Sequence, residues 1–174
     1  MKITMNNRFT KEVITSSLLW GSGDFIAQKI KIKTKTKKRH IYDWNRTLVN
    51  ALFGGFYVAP LGYHWYSYLD KSVCHVFERN TSTFICAKVF LETVLWNPCI
   101  TVGYFFTINF ALFQKNFKNI LNDDFRRALT TETMYWPLID TINFKYIPVH
   151  RNLLFMNIAS LVDTILLSCI VNHS

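Results

Sequence analysis

Ionisable and amide side chains at helical spacing, set within apolar stretches, are the residues of this sequence that could do chemistry. Asp24 and Gln28 are four residues apart, and so are Lys88 and Glu92. Each pair therefore shares one face of a helix. Polar pairs among apolar neighbours are typical either of a lock between packed helices or of a pore lining. The spacing predicts contact within each pair and leaves both roles open.

Other kinds of site find no support in the sequence. It has no recognisable Ser/His/Asp arrangement, phosphate-binding glycine loop or pair of catalytic carboxylates. We therefore predict that the protein is not an enzyme, and that it has no catalytic residue and no cofactor. His64 and His150 lack the companions of a metal centre and are predicted to be interfacial residues. The four scattered cysteines are predicted to be thiols, with a regulatory disulfide as the alternative.

The composition favours a membrane protein with basic loops. Half of the 174 residues are apolar, only 18% are charged, and the formal net charge is nevertheless +9. A typical soluble domain has about 25% charged residues. The competing explanation for the basic excess is a soluble nucleic-acid binder.

Uncharged stretches predict an all-α integral membrane protein that forms a single membrane domain over residues 1–174. The 23 residues 47–69 contain no Asp, Glu, Lys or Arg, enough to cross a hydrocarbon core at about 1.5 Å per residue. Pro60 and Pro98 are predicted to kink their helices. The four predicted transmembrane helices lie near 13–30, 47–69, 86–113 and 152–172.

Small residues recur four apart where these helices are expected to pack. Ser17 and Gly21 form one such pair in the first helix, and Ala51, Gly55 and Ala59 form a row in the second. Because small residues let helix backbones approach closely in lipid, we predict that these faces are packing surfaces.

The segments between the predicted spans are polar and mostly basic. The loop 29–46 is interpreted as a solvated connector, with binding to anionic lipid or to nucleic acid as alternatives. Segment 115–134 is predicted to be an amphipathic surface helix. These two loop regions, the second extended to Arg151, hold fourteen Lys and Arg, against five on the opposite side. The charge bias places them on the cytosolic or matrix face.

A proline-framed segment, 135–151, separates the surface helix from the last span. Proline inside a helix costs about 3 kcal/mol, and the residue before it avoids helical geometry. Pro137 and Pro148 therefore predict a rigid elbow at the membrane boundary. Asp140 and Arg151 within it are candidate polar residues of a lock or pore, and we expect Asp140 or Asp163 to pair with Arg151.

Taken in order, the motifs resemble the Mpv-seventeen and peroxisomal twenty-two-kilodalton membrane protein family over nearly the whole chain. The third helix differs in having Glu92-Thr93 where the family usually has Asp-Gln. Asp140, Asn152 and Asp163 stand where Gln, Arg and Trp are usual. The residues that carry the resemblance are Gly23, Asp24, Phe25, Ile26, Ala27, Gln28, Asp43, Arg46, Gly55, Pro60, His64, Trp65, Tyr66, Leu69, Lys88, Pro98, Trp136, Pro137, Asn143, Phe144, Pro148, Leu167 and Ser168.

The resemblance implies a small multispanning organelle membrane protein, with the mitochondrial inner membrane expected and the peroxisomal membrane as the alternative. It implies channel-like passage of ions or small metabolites that supports mitochondrial homeostasis and mitochondrial DNA maintenance. The alternatives are a membrane-anchored assembly factor for the mitochondrial ribosome or nucleoid, and a peroxisomal pore. Expected partners are the lipid bilayer, a second copy of the chain, and the ribosome or nucleoid through the basic loops. Direct sequence-specific binding to nucleic acid is not expected.

Overall fold

The computed structural model describes residues 2–34, 42–79, 81–111 and 124–171, and its regular structure there is helical. Residues 1, 35–41, 80, 112–123 and 172–174 lie outside the described part, and these include positions 115–123 of the predicted surface segment 115–134. The α-helices are α1 (Lys2–Thr34), α2 (Trp44–Phe53), α3 (Ala59–Cys74), α4 (Ser82–Leu91), α5 (Asn97–Ala111), α6 (Asp124–Tyr146) and α7 (Asn152–Val171). Two π-helical turns, Gly54–Val58 and Glu92–Trp96, join α2 to α3 and α4 to α5.

The chain divides into two compact units. Unit 1 consists of residues 1–63 and 156–174, and unit 2 of residues 64–155. The prediction of one membrane domain with four spans remains a prediction. Within the described ranges, one helical stretch, Ser82–Tyr104, has the length and apolar composition that a membrane span requires.

Unit 1 is organised by close packing of α1 on α2 and the first π-helical turn. A Cβ placed on Gly21 would lie 3.1 Å from the Cβ of Ala51. One placed on Gly54 would lie 2.6 Å from the ring of Trp20, and one on Gly55 would collide with the Ser17 hydroxyl. These distances show that the predicted small-residue faces meet. A larger residue on either face would force the two helix backbones apart.

Helix α7 joins unit 1 through a polar contact with α1. The Trp20 indole N–H donates to Asn157 Oδ1 at 3.1 Å, and Asn157 Nδ2 donates to the Ser16 hydroxyl at 2.7 Å. Ser16 and Asn157 are buried. Since a buried amide must find hydrogen-bond partners, Asn157 fixes the register of the two helices.

Unit 2 packs α6 against α4, the second π-helical turn and α5. An aromatic group fills its interior. Trp65 stacks on Trp96 with ring centroids 5.6 Å apart, and the Tyr66 ring lies 6.0 Å from Trp96 and 6.4 Å from Phe144. Aromatic pairs at these separations add stability beyond the area that they bury.

Two of the prolines stand just after the π-helical turns. Pro60 and Pro98 each follow a π-helical turn closely, and the carbonyl four residues earlier, which a proline ring crowds, belongs to that turn. The wider turn gives the ring room. Kinks at these positions remain a prediction.

The predicted elbow is wrong at its first proline. Pro137 lies inside α6, which continues to Tyr146. Continuing the helix buries Trp136 and Phe144 on either side of Pro137, and this burial offsets the local cost of the proline. The helix breaks instead at Pro148, which has extended geometry (φ −66°, ψ 144°) before the short helical turn Val149–Arg151. The elbow is therefore confined to the residues around Pro148.

Candidate functional site

The first polar cluster lies in unit 1 around Asp24, a buried carboxylate of α1. Its oxygens accept hydrogen bonds from Gln28 Nε2 and the Thr47 hydroxyl, each at 2.7 Å. The Arg46 Nε completes the group with an ion pair at 2.8 Å. A buried carboxylate with this many donors is well compensated for its lost hydration.

The same cluster fixes the start of α2. Gln28 Nε2 donates to the backbone carbonyl of Asp43 at 2.9 Å, and Gln28 Oε1 accepts from the Asp43 backbone N–H at 2.9 Å. Asp43 caps α2 by accepting from the Arg46 backbone N–H at 3.1 Å. Helix α1 thus holds the first turn of α2, with its cap, in place.

The second cluster lies in unit 2 and begins with Lys88, which is only 2% exposed. Its ammonium donates to Asp70 Oδ1 at 3.0 Å, and the Arg79 guanidinium binds Asp70 Oδ2, also at 3.0 Å. The ammonium also lies over the rings of Phe84 and Phe144, 5.1 and 4.5 Å from their centroids. Lys88 therefore has both an anionic partner and cation–π contacts.

Glu92 occupies the first position of the second π-helical turn and is fully buried. The Trp65 indole N–H donates to one carboxylate oxygen at 2.6 Å, and the Tyr66 hydroxyl donates to the other at 2.8 Å. Both donors belong to α3. Two donors, one for each oxygen, hold the carboxylate in one orientation.

Asp140 is the exception among these acids. It is fully buried on α6, and neither of its carboxylate oxygens has a hydrogen-bond partner among the residues that the structure describes. Asn143, one helical turn further on, is also fully buried, and its Nδ2 has no acceptor. An unsatisfied buried polar group costs about 1–3 kcal/mol, so this pair is the least compensated polar feature of the described residues.

The structure shows which partners the residues of each predicted pair take. Asp24 and Gln28 are in contact, as their spacing indicates. Lys88 and Glu92 interact electrostatically, while Lys88 donates to Asp70 and Glu92 accepts from α3. Whether these residues form a lock or a pore lining remains a prediction.

The predicted pairing of Asp140 with Arg151 is wrong. Asp140 is buried without a hydrogen-bond partner, whereas Arg151 is exposed in the short turn after Pro148. The prediction relied on proximity in the sequence, and the continuation of α6 past Pro137 removes that basis. Asn152, rather than Arg151, forms side-chain hydrogen bonds at the elbow. With its amide oriented to match its neighbours, it donates to the carbonyls of Pro148 and Ile147 at 3.0 and 3.1 Å.

The remaining motif residues divide between the interior and the surface. Gly23, Trp136, Asn143 and Phe144 are buried, while His64 and Pro148 are exposed. No group of three metal-ligating side chains occurs in the ranges that the structure describes.

Sequence reasoning missed two contributors to the clusters. Asp70 lies near the end of α3 and accepts from both Lys88 and Arg79. Trp65, named above only as a motif residue, donates to Glu92. Both contacts join different helices, so spacing within one helix gave no signal for them.

Large apolar side chains face outward while the charged clusters face inward. Phe56, Phe90 and Phe106 are 75%, 64% and 61% exposed. By contrast Asp24, Lys88, Glu92 and Asp140 are buried. A water-soluble protein distributes these residue types the other way. The fold and its clusters therefore define a helical membrane protein that buries ionisable groups in its interior.

Comparison with known proteins assigns a family to this class. The sequence pattern of the Mpv17 / PMP22 family matches residues 113–168. The Neurospora crassa protein named sym-1 is 31% identical over 150 residues, which cover 86% of this chain and 84% of that protein. Danio rerio mitochondrial inner membrane protein Mpv17 is 29% identical over 87% of this chain and 82% of its own length.

A protein of Dictyostelium discoideum named PXMP2/4 family protein 2 is 26% identical over 90% of this chain and 80% of its own length. No solved structure matches the chain. The protein belongs to the Mpv17 / PMP22 family, as the order of its motifs indicated.

Proposed function

We propose that the protein crosses the mitochondrial inner membrane several times and lets ions or small metabolites pass through it. The observation that carries this proposal is the burial of Lys88 and Glu92 inside Ser82–Tyr104, the stretch suited to cross a membrane. Ionisable side chains at membrane depth are costly, and they commonly mark a path for polar solutes.

The proposed topology has four spans, of which Ser82–Tyr104 is the best supported by length and composition. The other three fall on residues of α1, α2–α3 and α7. Pro60 and Pro98, each next to a π-helical turn, would bend two of these helices. The mitochondrial location is supported by the name of the Danio rerio relative, mitochondrial inner membrane protein Mpv17, and the peroxisomal membrane is the alternative location.

Conductance of the purified full-length protein in planar bilayers tests the proposal. We expect the wild-type protein to conduct small ions. Because Glu92 would contribute negative charge to the path, Glu92→Gln is expected to shift the reversal potential in a salt gradient away from cation preference. This substitution keeps an oxygen that accepts the hydrogen bonds of Trp65 or Tyr66.

Glu78→Gln is the matched control, since it removes the same charge from an exposed position in the same unit. Its reversal potential should equal that of the wild type. A wild-type protein without conductance contradicts the proposal. So does an identical reversal potential for the wild type and both variants.

A membrane-anchored assembly factor is the second candidate function. Its support is the basic run from Lys29 to Arg39, which has seven Lys and Arg in eleven residues and matches the negative charge of ribosomal or nucleoid nucleic acid. Co-sedimentation with ribosomal particles that is lost when these lysines are neutralised would favour this candidate.

A further inference from the structure

We propose that the face of α6 formed by Asp140 and Asn143 binds water molecules that exchange with the aqueous phase, and that this face lines the permeation path. The second half of this statement rests on the proposed function. The first half does not, because water can reach a buried face whether or not solutes cross the membrane.

The unpartnered atoms are complementary in kind. Asp140 presents two oxygens without a donor, and Asn143 presents an amide nitrogen without an acceptor. The two residues are three apart on one helix, a spacing that places side chains next to each other on the same face. A ligand on this face must therefore both donate and accept hydrogen bonds.

This requirement favours water over an ion. A cation would suit the Asp140 oxygens but would face the positive end of the Asn143 amide group. An anion would suit Asn143 but would meet Asp140. Water donates to one residue and accepts from the other, and buried waters typically form about 3 hydrogen bonds. Both side chains are completely buried, so the ligand must also be small.

Nearby protein groups do not compete for these atoms. Tyr66 and Glu92 both interact electrostatically with Asp140. The Tyr66 hydroxyl, however, already donates to Glu92. The Lys88 ammonium is held by Asp70 and lies over the rings of Phe84 and Phe144. A rearrangement that turned the Tyr66 hydroxyl towards Asp140 would take one of its two donors from Glu92.

Cysteine accessibility in the full-length protein tests the proposal. A thiol reacts with a methanethiosulfonate reagent as its thiolate, which forms where water reaches it. Asp140→Cys and Asn143→Cys would be made separately in the membrane-embedded protein and treated with methanethiosulfonate-ethylammonium. The background would carry serine at the four native cysteines, Cys74, Cys86, Cys99 and Cys169.

Two matched positions calibrate the rates. Leu153→Cys reports a buried apolar site in the same unit, and Leu138→Cys reports an outward-facing site of the same helix, 69% exposed and expected to face lipid. We expect both test positions to react at least tenfold faster than Leu153→Cys. Reaction of a folded Asn143→Cys no faster than Leu153→Cys overturns the proposal, and this variant decides if Asp140→Cys fails to fold.

Flux measurements separate this inference from the proposed function. Rapid labelling of Asn143→Cys in a protein without conductance supports the hydrated face and overturns the permeation path. Conductance with unlabelled test positions overturns the hydrated face and leaves permeation standing.

Discussion

Asp24 in unit 1 and Asp140 in unit 2 are both buried acids on helices, and they differ in their hydrogen-bond partners. Asp24 binds Gln28, Thr47 and Arg46, at distances of 2.7–2.8 Å. Asp140 has no hydrogen-bond partner within the described part of the chain. The first environment compensates a charged carboxylate, whereas burial in the second raises the pKa of Asp140 to about 9 and favours its neutral acid form.

This contrast distinguishes a buried acid that holds neighbouring helices together from one that does not. A carboxylate held by a cation and two neutral donors fixes neighbouring helices, because every donor loses its partner if the helices shift. A carboxylate without donors adds nothing to the register of its helix. We therefore expect a polar lock in unit 1, whereas unit 2 combines a compensated acid at Asp70 with an unsatisfied face at Asp140.

The largest expected effect is the loss of the unit 1 lock. Asp24→Ala removes the carboxylate that Arg46, Gln28 and Thr47 share, and losing one ion pair and two hydrogen bonds should lower the unfolding free energy by about 3 kcal/mol. Reversible unfolding in mixed micelles measures the loss. Glu78→Ala, at an exposed position, is the control and should change stability by less than about 0.5 kcal/mol. Equal values for the two variants would contradict a lock at Asp24.

Packing in unit 1 should be nearly as sensitive. Gly54→Ala places a methyl group against the Trp20 ring, and overpacking of this kind should lower the unfolding free energy by about 2 kcal/mol. Gly21→Ala meets only the Ala51 methyl, at 3.1 Å, so its loss should be smaller. The same micelle measurement ranks the two variants, and a larger loss for Gly21→Ala would disprove the ranking.

A smaller effect is expected where a carboxylate of unit 2 has two donors. Tyr66→Phe removes one hydrogen bond from Glu92 while Trp65 keeps the other, so we expect a loss of about 1 kcal/mol. Tyr68→Phe, at a position 67% exposed, should leave the unfolding free energy unchanged. A Tyr66→Phe protein as stable as the wild type would show that Trp65 alone suffices for Glu92.

The smallest loss of stability is expected at Asp140, and it is the most direct test of the difference between Asp24 and Asp140. Asp140→Asn removes an acid that no protein donor holds, so stability should stay within about 0.5 kcal/mol of the wild type, as for sites without a specific partner. Unfolding in mixed micelles next to Asp24→Asn provides the direct contrast. If Asp140→Asn lost as much stability as Asp24→Asn, the two acids would be equivalent and the distinction between the units would fail.

Local patterns predicted much of the helical framework. The i to i+4 spacing placed Asp24 beside Gln28, and the small residues of α1 and α2 marked faces that do pack together. Such predictions succeed because contacts within a helix follow from its repeat. Small residues, in turn, are where helices approach closely.

Local rules failed where tertiary packing outweighed them. Pro137 was expected to end a helix, but the burial of Trp136 and Phe144 on both sides keeps α6 continuous. Lys88 was expected to meet Glu92 on their shared helix, but Asp70 from α3 provides an anionic partner that no spacing within α4 could reveal.

The sequence by itself determined the helical and apolar character of the protein, its family and the positions of its ionisable residues, because these depend on composition and on short-range periodicity. Only the tertiary structure decided which buried charges are compensated. That outcome depends on which helices face one another, and a few ångströms between elements separate the three-partner carboxylate of Asp24 from the unpartnered carboxylate of Asp140.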